Sequence, residues 1–195
     1  MGYDGYNWTH KGVIIYQTPD EQEVFRTELR RIKNVEGVLV EVGVFQGATA
    51  AIIREEIPDK TLYLFDTFTG LPDEIDESDA KYYTPGHCAA DESYVTKLME
   101  EEREVFITKG IFPETGKILK GKKISFAHID VDTYNGTKNS LVYLYDNVVD
   151  GGTIIIHDYF AHPGVVKGVD EFLKTVTNFK KKQSENRQLI IYKNA

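Results

Sequence analysis

Six short, almost unbroken apolar runs separated by helix-length segments restrict this chain more than any other feature. They read VLVEVGVF (38–45), TLYLFD (61–66), EVFITKG (104–110), KISFAHID (123–130), GTIIIHD (152–158) and QLIIYK (188–193). Runs that are β-branched and apolar along nearly their whole length suit strands buried on both faces, the condition of a parallel sheet covered by helices. Helix patterns lie between them at 48–56, 91–103, 134–148 and 165–177. This alternation predicts an α/β fold, a doubly wound and mostly parallel sheet with right-handed crossovers. The stretch 178–195 holds a last run with no helix after it, so that strand is expected to return antiparallel. The basic cluster Lys180, Lys181 and Lys182 is expected to be a solvated turn.

Ahead of the first strand, PDEQEVFRTELRRI (19–32) has proline and acids in its first turn and an amphipathic pattern, which predicts a helix. Residues 1–18, rich in Tyr and Gly, show no period and are expected to be either an ordered cap, a lid or a loose arm. The expected organisation is residues 1–35 as a cap and helix leading into an α/β domain over 36–195, sharing one core. At 195 residues and 41% hydrophobic composition the chain can bury one good core. No run approaches the roughly 20 apolar residues of a membrane span, and the first residues lack a signal-peptide pattern, so a cytoplasmic protein without a membrane partner is expected. The single Cys88 excludes an internal disulfide and a cysteine zinc cage. A net charge of -8 argues against nucleic acid as a partner.

The strand ends carry the candidate chemistry. In Glu41-Val-Gly-Val-Phe-Gln-Gly47 one glycine stands where the chain leaves the strand and another where a helix opens, which lets backbone approach a ligand closely. This is not the GxGxxG of a dinucleotide site, and Glu41 suits a ligand carrying an ammonium group. About 20 residues on, Asp66 ends the second strand, where an acid can accept hydrogen bonds from both hydroxyls of a ribose. Taken singly, Asp66 is equally a turn former. Together the two loops point to an adenosyl pocket. The third cluster is Asp130, Asp132, His157 and Asp158. Oxygens at adjacent strand ends can hold a divalent cation that lowers the pKa of a substrate hydroxyl, with a remaining carboxylate taking the proton. His157 and Asp158 can share a ligand only if their strand has already ended. The bland alternative is that these groups cap the helix starting near Tyr134.

The order EVGVFQG, LFDTFTGLPDE, ITKGIFPET, HIDVDTYNGTKNSL, DGGTIIIHDYF and GVDEF resembles the macrocin O-methyltransferase (TylF-type) family, over 38–172. The resemblance implies a class I methyltransferase fold and a magnesium-requiring, S-adenosylmethionine-dependent enzyme that methylates a hydroxyl of a sugar or other small natural product. It implies that Glu41 and Gly43 hold the methionine part of the cofactor, Asp66 the ribose, Asp130 and Asp158 a metal, and that Asp132 is the general base. The candidate cofactor-binding set is Glu41, Gly43, Phe45, Gly47, Asp66, Thr67, Phe68 and Asp130. The candidate metal ligands are Asp130, His157 and Asp158, for magnesium or manganese. The candidate catalytic residues are Asp132 and His157.

His157 departs from the family, which usually has aspartate there. A neutral imidazole binds metal but shifts preference from magnesium towards manganese, iron, cobalt or zinc; alternatively His157 is a base or supports the ligands. His128, inside an apolar strand, is expected to be a hydrogen-bonded core residue. His87 borders either the adenine pocket or the surface, and His162 is within loop reach of the site. Tyr3, Tyr6, Trp8 and Tyr16 form either a lid over the acceptor, a buried edge or a contact in a homo-oligomer. Two other readings stay open: a nicotinamide-dependent (NAD) dehydrogenase, weakened by the missing GxGxxG, and a non-catalytic adenosyl- or metal-binding protein.

Overall fold

The computed structural model describes residues 8–184 and 187–194. Seven strands form one sheet in the order β5 (Val105–Lys109), β4 (Leu62–Asp66), β3 (Val38–Val42), β6 (Ile124–Ile129), β7 (Val148–Ile156), β9 (Leu189–Lys193) and β8 (Phe179–Gln183). The first five pair in parallel, while β9 runs antiparallel to both β7 and β8. Helices α1 (Pro19–Ile32), α2 (Ala48–Glu56), α3 (Glu92–Leu98), α4 (Tyr134–Leu144) and α5 (Pro163–Leu173) flank the sheet.

Strands β3, β4, β6 and β7 bury alternate side chains on opposite faces, while the edge strand β5 is only half-buried and exposes Phe106. Leu39, Leu62, Leu64, Phe126 and Ile155 meet α1 and α2 through Phe25, Leu29, Ile32, Ile52 and Ile53. Val40, Val42, Phe65, Ala127, Ile129 and Ile156 meet α4 and α5 through Leu141, Leu144, Val165 and Val169. The doubly apolar reading holds for the inner strands but not for the run 104–110, whose strand β5 lies at the sheet edge with no neighbour beyond it, and α1 shares its core with the sheet.

Several boundaries differ. The 178–195 region contains two strands, not one: Phe179–Gln183 is a strand on the sheet edge, so Lys180, Lys181 and Lys182 lie on a strand and not in a turn. Lysine-rich edges resist pairing with other chains, and such a strand has no apolar alternation to betray it. The helix expected over 91–103 ends at Leu98, that over 134–148 gives way to a 3-10 turn at Tyr145–Asn147, and that over 165–177 runs from Pro163 to Leu173. The strand expected from Gly152 begins at Val148.

Residues 8–18 form an ordered cap. Trp8–His10 (β1) and Val13–Ile15 (β2) pair as a hairpin around Lys11 and Gly12, both with positive φ, as a tight two-residue turn demands. The hairpin is pinned to α2 and to the loop before it, with the Ile14 amide donating to Gln46 Oε1 at 2.9 Å and His10 meeting Glu55 at 3.0 Å. Tyr3 and Tyr6 lie outside the described residues. Thr18 then starts α1 with a capping box, its hydroxyl accepting from the Glu21 amide while Glu21 Oε2 accepts from the Thr18 amide at 2.7 Å.

Candidate active site

The strand order reverses between β3 and β6, the place where an open parallel sheet leaves a crevice at its carboxyl ends. A cavity of about 740 Å³ opens there, bounded by the loops after β3, β4, β6 and β7 and by Ile14 to Gln17 of the cap.

Gly43 turns the chain off β3 at φ 86°, and a β-carbon there would sit 1.7 Å from the carbonyl oxygen of Asp130. Only glycine lets the ends of β3 and β6 approach so closely. Asp66 fixes this turn from β4: its Oδ2 accepts from the amides of Val44 (2.6 Å) and Phe45 (2.8 Å), and its Oδ1 from the amide of Phe68 (2.7 Å). A carboxylate offers about four lone-pair sites, so Asp66, which borders the cavity, keeps one for a ligand while tying two loops together. Phe45 and Phe68 are held at positive φ in these loops, as are Asp132 and Asp158 at the opposite wall; such strained backbone gathers at ligand sites.

Gly43, Phe45, Thr67 and Asp130 also border the cavity. Three expected cofactor residues do not. Glu41 is fully buried behind the wall, where its Oε1 is 2.8 Å from Nδ1 of His128. Burial pushes its pKa up against the opposing pull of that imidazole. His128 is thus the core residue that its place in an apolar strand suggests. Gly47 caps α2 in a left-handed conformation, and Phe68 packs into the core, contributing only its amide.

On the other side, β7 ends at Ile156, so His157 and Asp158 leave the strand and turn to the cavity together. His157 Nδ1 lies 3.3 Å from Asp130 Oδ1 and 3.2 Å from Asp158 Oδ2. Asp132 borders the same space with Tyr83 donating to its Oδ1 at 3.2 Å, and His162 Nε2 is 3.7 Å from Asp158 Oδ2. Burial would lower the His157 pKa, but Asp158 and Asp130 outweigh it and raise it well above the usual imidazole range. Burial likewise would raise Asp158, but His157 and Arg187 hold it down to about 2. Asp132 is raised by burial and by the neighbouring charges of Asp130 and Asp158. Cys88 is raised in the same way, first by burial, so its thiol stays protonated.

Two functional neighbours carry no signal in the sequence. Arg187, between β8 and β9, sends Nη1 to Asp158 Oδ1 (3.1 Å), Nε to Glu21 Oε1 (3.1 Å) and Nη2 to the Tyr16 carbonyl (3.0 Å). Glu21, legible only as a first-turn acid, also faces Nε2 of His157 at 3.8 Å. No local pattern marks either one, because the pair they form with each other spans 166 positions of sequence.

The residues fit a divalent cation. Donor atoms of Asp130, His157 and Asp158 converge within 4.8 Å, and a second trio of Asp132, Asp158 and His162 does the same. Octahedral donors about 2.1 Å from an ion stand roughly 3 Å apart, close to the 3.2 and 3.3 Å seen around His157 Nδ1. Among the described residues, neither ring nitrogen of the buried His157 has a hydrogen-bond partner.

The model of the macrocin-O-methyltransferase (TylF) family matches residues 25–184. The chain belongs to the TylF family. A curated relative, demethyldecarbamoylnovobiocin O-methyltransferase of Streptomyces niveus, is 28% identical over 154 residues, 71% of this chain and 59% of the relative. The chain therefore spans less than two thirds of that protein's length. Among solved structures, the O-methyltransferase NovP superposes with a TM-score of 0.77 at 24% identity over 89% of this chain and 79% of NovP. The calicheamicin methyltransferase CalS11 gives 0.72 at 20% over 89% and 78%. These likenesses show a class I methyltransferase fold, with this TylF chain keeping the parallel core and the antiparallel β9. No helix among the described residues is long and apolar enough to cross a membrane.

Proposed function

We propose that this TylF-family chain is an S-adenosylmethionine-dependent O-methyltransferase that uses a divalent metal and acts on a hydroxyl of a small sugar or natural product. One observation carries the reading: a single cavity at the β3/β6 switch point is bordered by the Gly43 turn, by Asp66 and by the Asp130, Asp132, His157 and Asp158 cluster. Family membership and the absence of GxGxxG favour methyl transfer over hydride transfer.

S-adenosylmethionine, when bound, supplies an electrophilic methyl group on a sulfonium. The glycine turn and the last lone-pair site of Asp66 suit its adenosyl part, and the polar groups near Asp130 its amino-acid part. Asp130, His157 and Asp158 would hold the metal. A divalent cation held there would lower the pKa of an acceptor hydroxyl. Asp132, free of that trio and oriented by Tyr83, accepts the hydroxyl proton. Transfer of a methyl from sulfonium to oxygen consumes both charges, so the residues contribute mainly by alignment and by removing the proton. Tyr16 and Phe45, 5.5 Å apart between ring centroids, offer apolar surface for the acceptor.

Calorimetric titration with S-adenosylmethionine, S-adenosylhomocysteine and NAD, with and without manganese, tests the reading. Micromolar binding of both adenosyl compounds and none of NAD is expected. Binding of NAD alone overturns methyl transfer. Replacing Asp132 with Asn in an enzyme with an identified acceptor is expected to lower kcat about 100-fold or more while cofactor affinity stays unchanged.

A further inference from the structure

We propose that Glu21, His157 and the metal form a carboxylate–imidazole–metal relay that makes this a nitrogen-containing site, selective for manganese, cobalt or zinc over magnesium. The inference rests on the metal reading above and goes beyond it to the identity of the ion. It stands on where the two nitrogens of His157 point. Nδ1 faces the carboxylates of Asp130 and Asp158, at 3.3 and 3.2 Å, on the cavity side. Nε2 faces the carboxylate of Glu21 at 3.8 Å on the far side, away from them. Both His157 and Glu21 are at most 3% exposed, and neither ring nitrogen has a hydrogen-bond partner among the described residues.

A carboxylate behind an imidazole keeps the proton on the nitrogen nearest to it and leaves the other nitrogen's lone pair free. With a cation between Asp130 and Asp158 in place of a proton, that lone pair is the Nδ1 pair, directed between two acidic oxygens at ligand spacing, and the remaining proton stays on Nε2 facing Glu21. Glu21 is fixed in place behind the ring. The Thr18 amide and Arg187 hold its two oxygens, so its orientation towards His157 is set by α1 and the β8–β9 connection. Magnesium favours an all-oxygen shell, whereas imidazole suits later divalent ions, whose affinity for mixed nitrogen and oxygen sites rises along the first transition row. His162 Nε2, 3.7 Å from the same Asp158 oxygen, belongs to the second trio with Asp132 and Asp158 and adds no donor to this one.

The test uses the full chain, first without cofactor, with magnesium and manganese chloride as the probes. Calorimetry should give manganese affinity at least tenfold above magnesium. Pulsed electron paramagnetic resonance of the manganese-loaded protein should show nitrogen coupling from one imidazole. In His157→Asp the coupling should vanish and the manganese-to-magnesium ratio fall about tenfold. In Glu21→Gln, checked for native circular dichroism, manganese affinity should fall about tenfold, the effect of losing a partner behind a metal-bound imidazole. Equal affinities in the wild type, nitrogen coupling that survives His157→Asp, or a Glu21→Gln variant with unchanged manganese affinity would each overturn the relay. Absence of any metal binding overturns both the relay and the metal in the proposed function. A failure to bind S-adenosylhomocysteine would strike the methyltransferase reading separately.

Discussion

Replacing Arg187 with Met tests how the cap, the site and the carboxyl-terminal hairpin are held together. The guanidinium contacts two carboxylates that are nearly inaccessible, with Glu21 1% and Asp158 4% exposed in their side chains, while Arg187 itself is 26% exposed. Removing one partner of a fully buried ion pair costs about 3–5 kcal/mol. The figure shrinks here because Arg187 reaches solvent and Glu21 keeps the Thr18 amide at 2.7 Å. An expected loss of about 2–3 kcal/mol remains, which for a chain of this size lowers Tm by roughly 6–9 °C. The loss carries a pH signature. Burial alone would raise the Glu21 pKa, but His157, Arg187 and the Thr18 amide outweigh it and hold it well below its ordinary 4.5. A depressed acid contributes stability that is fully present above its unfolded value and disappears as pH falls through the folded one. The gap between wild type and Arg187→Met should therefore be full near neutrality and narrow steadily below about pH 4.5. Urea denaturation of the metal-free proteins, followed by circular dichroism across that range, measures it. A gap under about 0.5 kcal/mol at neutral pH, or one that does not change on acidification, would refute the reasoning.

Gly43→Ala should fold with a loss of about 2–4 kcal/mol and bind S-adenosylhomocysteine at least tenfold more weakly in calorimetry, because the new β-carbon meets the Asp130 carbonyl and the backbone must open at the cavity floor. Asp66→Asn keeps the shape but turns an acceptor into a donor facing backbone amides, so a destabilisation of about 1–3 kcal/mol and a weaker adenosine affinity are expected by thermal melting and titration.

Much of the site is legible because its parts lie at strand ends. Strand ends are set by local pattern, so Gly43, Asp66, Asp130, Asp132 and Asp158 can be singled out from the sequence, and all five border one cavity. What local pattern does not give is orientation. Glu41 stands in the same motif as Gly43, yet its side chain lies buried on one face of the sheet beside His128 of the neighbouring strand. The lysines of β8 pass for a turn because an edge strand exposed on most of its length carries no apolar period.

The alternation of buried strands and helices, hence the parallel core and the crevice at its switch point, follows from linear pattern, because burial on both faces and right-handed crossovers leave few other arrangements. Packing in three dimensions is what brings Glu21 and Arg187 beside His157 and Asp158, makes the cap one wall of the cavity, and turns the two nitrogens of His157 to different carboxylates. Glu21 and Arg187 meet across 166 positions, and the energies of such contacts depend on burial and distance, quantities that no local spacing encodes.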